Sequence, residues 1–208
     1  MDPILEKIFI YLVILLSVTV HEYAHAFVAN ESGDSSAEKA GRLTLNPLAH
    51  IDPIGTVIIP LLLLFTSGGF LGWAKPVPYD PRLLRGGVKD EVKVALAGPA
   101  ANLAIAFIVM LVLGLVPDGF LAGKGLLSYV VFANIFLAVF NLIPVPPLDG
   151  SKLLYPFLSF RGRYILESMG LAGIFIAIIL ASFVVPTLAG WVFSLFALTV
   201  QIIRSIFY

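Results

Sequence analysis

The sequence predicts an all-α polytopic membrane protein, with five to six apolar membrane segments, short extended pieces, and one segment suited to re-entering rather than crossing. Three observations predict that class. Hydrophobic residues make up 59% of the 208 and charged residues only 12%, about half the charged share of an ordinary soluble domain. Several apolar runs approach or exceed the roughly 20 residues needed to cross a bilayer. Pro117, Gly119, Gly123 and Pro186 fall between such runs, where turns belong. The formal net charge is zero, and the basic footprint of a nucleic-acid binder is missing, so the expected surroundings are a lipid bilayer and no nucleic acid. There are no cysteines, which excludes disulfides and thiolate metal sites.

Each element follows in order. Met1-Asp2-Pro3 lacks the positive stretch of a secretory signal, and no cleaved leader is expected. The first span covers about Ile8–Val28, apolar through Val20 and then polar on one face. Glu31–Gly41 is a hydrophilic loop. Arg42–Leu45 and Trp73–Tyr79 read as short extended pieces whose prolines suit an edge. Pro53–Leu71 is apolar but interrupted by Pro60 and closed by Ser67-Gly68-Gly69, so it dips in and returns or lies along the interface. A basic stretch, Arg82–Lys93, leads into spans near Val92–Val116, Leu126–Ile143, Ile165–Val185 and Thr187–Phe207. The chain is expected to form one transmembrane domain over residues 1–208, with a core at 8–152 and a helical pair at 164–208. Its lysines and arginines concentrate between the first span and Val92 and again after Ile143. By the positive-inside rule those loops are cytoplasmic, with the N-terminus outside and the C-terminus inside. Trp73, Tyr79 and Trp191 read as interfacial anchors.

Chemistry concentrates in His21-Glu22-Tyr23-Ala24-His25, at the end of the first span. Ionisable groups are expensive in lipid and mark function there by default. Residues four apart share a helix face, so both imidazoles can reach one metal ion. Glu22, one residue along, is long enough to swing toward a water beside that metal. This is the H-E-x-x-H pattern of zinc hydrolases, two histidine ligands and a general base. A catalytic zinc takes three protein ligands and a water, and the third candidate is Asp149. It lies in Asn141-Leu142-Ile143-Pro144-Val145-Pro146-Pro147-Leu148-Asp149-Gly150, where prolines break the fourth span. Irregular backbone at membrane depth is tolerated where protein or a water-filled cavity satisfies it.

Together with Gly98-Pro99-Ala100-Ala101-Asn102, these two motifs make the chain resemble the site-2 protease family of intramembrane zinc metalloproteases. Arg42–Pro47 and Gly72–Pro78 resemble its compact prokaryotic branch, which lacks PDZ and CBS domains. The resemblance covers the first span through about Lys152; beyond that only hydropathy agrees. It implies that His21, His25 and Asp149 bind Zn²⁺, that Glu22 activates water, and that Asn141 helps hold substrate. It further implies cleavage in or near a transmembrane segment of a membrane-protein substrate (regulated intramembrane proteolysis), in a prokaryotic cell membrane with the active site toward the cytoplasm. The family's common Gly-Gly after the aspartate is Gly150-Ser151 here, a small change of expected little consequence.

Plainer roles stand beside these. The histidines could pack within the bundle, Asp149 could cap a helix, and Asn141 could satisfy backbone groups freed by the prolines. Asn102 suits an interhelical hydrogen bond as well as a substrate contact, since small residues there let helices approach. His50 reads as a loop or interface histidine rather than a further ligand. A divalent-metal transporter or metal-responsive membrane protein is the alternative function, because polar residues in broken spans also mark ion paths. Such a protein needs ligands but no base, and no inverted repeat is visible. An inert scaffold is the third reading, disfavoured by the intact ligand set and base.

Overall fold

The structure is a computed structural model that describes residues 2–66, 72–116 and 124–207. Among these, helices dominate and no strand forms. The chain divides into two compact units, Met1–Val94 and Ala95–Tyr208.

The first unit is built on α1, Pro3–Glu31. Asp2 caps it by accepting the Ile4 N–H at 2.7 Å, and Pro3 occupies the first turn, where its missing N–H costs nothing. Burial on α1 is inverted relative to a soluble helix. Ile4, Leu5, Ile8, Leu12 and Leu16 are exposed, while Ser17, Thr19 and His21 are buried. Water would reward the opposite arrangement; a lipid solvent rewards this one. After the short α2, Ser36–Lys39, a 3-10 turn spans Pro47–His50. A π-helical stretch, Pro53–Ile58, then runs into α3, Ile59–Thr66.

Pro60 explains much of what surrounds that stretch. It has no N–H to offer the carbonyls four and five residues back. Those carbonyls bond elsewhere: Gly55 O accepts the Trp73 N–H at 3.1 Å, and Thr56 O accepts the Tyr11 hydroxyl at 2.9 Å. A Cβ on Gly55 would lie 2.3 Å from the Trp73 ring, so only glycine admits this contact. The π-helix and α3 hold 6 and 8 residues, about 20 Å of helix at most, too short for a hydrocarbon core of about 30 Å. The described part of the Pro53–Leu71 segment therefore does not cross; residues 67–71 lie outside the described residues.

Gly72–Asp80 runs without helix or strand, yet its backbone is tied down. Besides Trp73, the Lys75 N–H meets His50 O at 3.0 Å, and Arg42 Nη2 donates to Lys75 O at 2.5 Å. The Asp80 N–H meets Asp34 Oδ2 at 2.6 Å. Asp80 also caps the turn Pro81–Leu83 and pairs with Arg82, whose hydrogen bond holds the Asp80 carboxyl at about 2. The next helix, α4, spans Val88–Leu115, and the boundary between units falls inside it.

The second unit contains the rest of α4, then α5 (Lys124–Asn141), a 3-10 helix (Asp149–Phe157), α6 (Phe160–Glu167) and α7 (Gly170–Phe207). Ala106, Val131, Ile135, Val139, Ala177 and Val200 are among its core residues. Asn102 and Asn134, both fully buried, share a hydrogen bond of 2.7 Å from Asn102 Nδ2 to Asn134 Oδ1. A cavity of about 250 Å³, lined by groups such as Met110, Leu113 and Phe193, holds no titratable side chain and touches no predicted site residue.

Four helices among the described residues are long and apolar enough to cross a membrane: α1, α4, α5 and α7. Where two spans meeting near Pro186 were expected, one helix of 38 residues runs through the proline. Proline removes one helical hydrogen bond, and a membrane-spanning helix tolerates the gap because neighbouring groups and small local adjustments satisfy the freed carbonyl.

Candidate metal centre

The H-E-x-x-H stretch lies in the last three turns of α1, so its spacing acts as expected. His21 and His25 turn their Nε2 atoms toward each other at 3.0 Å, with the rings edge to face. A tetrahedral zinc with Zn–N bonds of 2.0–2.1 Å holds its nitrogens about 3.3 Å apart, so a few tenths of an ångström separate this pair from a ligand pair. His25 Nδ1 lies 2.6 Å from Val94 O. A carbonyl can only accept, so Nδ1 carries the proton and Nε2 presents its lone pair. Such an outer hydrogen bond fixes tautomer and ring plane in histidine metal sites. The donor set fits zinc.

Glu22 points one carboxylate oxygen at the segment Gly72–Asp80: Oε2 accepts the Val77 N–H at 2.9 Å. The base and both histidines thus belong to one helix end, and each of Glu22 and His25 has a backbone partner in the first unit. His50 is also there, at the end of its 3-10 turn between helices and buried. Its Nε2 donates to Thr44 O at 2.9 Å, and its Nδ1 has no hydrogen-bond partner among the described residues.

The remaining predicted residues lie in the second unit. Asp149, half-buried, is the first residue of its 3-10 helix, just after Leu148. The break preceding it follows from the prolines: α5 stops at Asn141, and tight turns join Val145 N–H to Ile143 O and Leu148 N–H to Val145 O. Gly150 is required by packing, since a Cβ there would lie 2.2 Å from Leu142 O. Ser151 gives its hydroxyl to Leu148 O at 2.7 Å, so the serine replacing a family glycine is accommodated inside the turn. Asn141 donates Nδ2 to Leu137 O at 2.9 Å, closing the end of its own helix. Asn102, wholly buried, donates Nδ2 to Asn134 Oδ1 at 2.7 Å, the interhelical hydrogen bond expected of it beside a substrate contact.

Sequence reasoning missed Val77, Val94 and Asn134. The first two contribute backbone groups, which no residue letter announces. Asn134 did carry a signal, a lone amide inside an apolar helix.

A histidine pair spaced to share a metal and an adjacent carboxylate, at the end of a helix dressed for lipid, are the marks of a membrane-embedded zinc hydrolase. Residues 9–124 match Peptidase family M50, and the chain belongs to that family, the site-2 proteases. It is 42% identical over 154 residues to YwhC of Bacillus subtilis, covering 69% of this chain and 67% of that protein. It is 34% identical over 187 residues to Rip2 of Mycolicibacterium smegmatis, covering 87% and 68%. Rip2 of Mycobacterium tuberculosis H37Rv is 30% identical over 182 residues, covering 86% and 68%. All three are named, provisionally, as zinc metalloproteases. No solved structure matches. The protein is a zinc-dependent protease of the membrane, and the transporter and scaffold alternatives fall away.

Proposed function

We propose that the chain hydrolyses a peptide bond within or beside a transmembrane segment of another membrane protein, with His21, His25 and Asp149 as zinc ligands and Glu22 as general base. The observation that carries this is the pair of Nε2 atoms 3.0 Å apart, one ring locked by Val94 O, beside an oriented carboxylate. Bound zinc supplies Lewis-acid polarisation of the scissile carbonyl and makes water nucleophilic near neutral pH. Glu22 takes the proton of the attacking water and hands it to the leaving amine.

A substrate helix hides its carbonyls in its own hydrogen bonds, so it must unwind before attack. Gly72–Asp80 offers an unwound partner a template. Residues 73, 75 and 77 turn their N–H groups to the protein, which leaves the opposite edge for strand addition, with Ala74 as its N–H donor and Pro78 as a further carbonyl acceptor. Asn141 is assigned to a hydrogen bond with the substrate backbone.

Orientation follows from charge. With α1, α4, α5 and α7 crossing, both chain ends fall on one side. Placing the loops at 32–87 and 142–169 in the cytoplasm puts Lys39, Arg42, Lys75, Arg82, Arg85, Lys152, Arg161 and Arg163 there, and Lys89 and Lys93 at the cytoplasmic start of α4. Lys7, Lys124 and Arg204 fall outside. The two site motifs then sit at the cytoplasmic ends of α1 and α5, in a prokaryotic cell membrane, and the C-terminus moves outside because α7 crosses only once.

Replacing Glu22 by Gln tests the function. Cleavage of a transmembrane substrate should fall by about 10²–10⁴-fold, the usual worth of a general base, while zinc per chain is unchanged. Wild-type turnover in that variant would remove Glu22 from the mechanism.

A further inference from the structure

Building on the role just given to Glu22, we propose that Val77 is a positioning residue of the reaction. Its peptide N–H fixes the Glu22 carboxylate in the orientation from which that group moves its proton.

The sequence isolates this donor. In Lys75-Pro76-Val77-Pro78-Tyr79 the two prolines have no N–H, so Val77 supplies the sole backbone donor between Lys75 and Tyr79. It points at Glu22 Oε2, 2.9 Å away. The alternation of an extended chain sends the N–H groups of residues 73, 75 and 77 the same way. The first two end on carbonyls, Gly55 O and His50 O; the third ends on the carboxylate of the base.

The donor is also stiff. Pro76 and Pro78 fix their own φ and hold Lys75 and Val77 in extended backbone. Arg42 grips the carbonyl of Lys75, directly before the first proline. The Val77 side chain is 9% exposed and packs with Ala26 and Ala37, and Ala26 follows His25 in α1. The amide is thereby tied to the helix end that carries both imidazoles. Glutamate swings about three side-chain bonds, and one fixed partner on Oε2 removes most of that freedom. No hydrogen bond occupies Oε1 among the described residues, which leaves that oxygen for the proton. A peptide N–H holds the carboxylate without competing for the transferred proton, as a lysine or histidine partner would.

The bland alternative is that this bond only staples Gly72–Asp80 to α1. Kinetics of the full chain in detergent or vesicles separate the two. Val77→Pro deletes the N–H in a backbone already flanked by prolines. With a transmembrane substrate, kcat should fall about 10–100-fold, the cost of a misplaced catalytic group, with KM and zinc per chain unchanged. Val77→Ala, which restores the N–H, should recover most of that loss. Wild-type kcat in Val77→Pro overturns the proposal, and so does a rise in KM or a loss of zinc that spares kcat.

Should Val77→Pro fail to fold, ¹⁵N-valine-labelled wild type and Glu22→Ala decide by NMR. The Val77 amide proton, assigned through Val77→Ala, should move upfield when the carboxylate is removed; an unmoved resonance overturns the proposal. Failure of the underlying function is a separate result, seen as turnover in Glu22→Gln itself.

Discussion

His25 shows how much a single side chain depends on what holds its far side. Its Nδ1–H on Val94 O determines that Nε2, and not Nδ1, faces His21. The sequence reveals His21, Glu22 and His25 because helical spacing and lipid cost are written in residue letters. It cannot reveal Val94 or Val77, whose contributions are a carbonyl and an amide that every residue possesses. The same limit governs Asn102, whose letter suits a substrate contact as well as a helix link; its bond to Asn134 is visible only in the fold. Truncating Asn134 to Ala would leave the Asn102 amide buried with its acceptor gone. We expect a loss of about 1–2 kcal/mol in detergent unfolding. The double replacement Asn102→Leu/Asn134→Leu should recover part of it, because no orphaned amide remains. Additive losses in that cycle would refute a direct bond.

Among the elements, the proline-broken segment after α5 was legible in advance, and for a physical reason: Pro144, Pro146 and Pro147 cannot continue a helix. Its turn closure was not legible, because it depends on where Gly150 meets a backbone five residues or more upstream. Gly150→Ala places a Cβ 2.2 Å from Leu142 O and 2.6 Å from Ile143 O, atoms that cannot rotate away. The variant should lose about 1–3 kcal/mol to overpacking and, if Asp149 is a ligand, bind zinc more weakly. Metal analysis after dialysis against a mild chelator reads both effects, and wild-type retention would show that the turn does not position a ligand. The extended reading of Trp73–Tyr79 anticipated a segment without helix. Its partners, Gly55, His50 and Glu22, come from three different elements, so no local pattern could name them.

For the molecule as a whole, composition and the long apolar runs are enough to read a polytopic helical membrane protein, and the motifs point to the zinc protease that the family match shows. The number of crossings was harder to read, because a proline in an apolar run marks a turn or a continued helix with the same letter. Topology is directly testable, since a chain without cysteines accepts single reporters. A thiol at Glu38→Cys should react from the cytoplasmic side of sealed vesicles and one at Ser205→Cys from the other; labelling of both from one side would reject four crossings. Stripping zinc with a strong chelator should abolish cleavage, and returning the ion should restore it. One dimension of the fold then has a consequence for depth in the membrane. The 38 residues of α7 make a rod about 57 Å long, nearly twice the roughly 30 Å of hydrocarbon available. Leaning by 40°, the upper end of observed tilts, it still rises about 44 Å. Some 14 Å of its length therefore lies beyond the hydrocarbon, within the interfacial layers that bring a bilayer to about 40–45 Å, a depth that suits Gln201, Arg204 and Ser205 near its end.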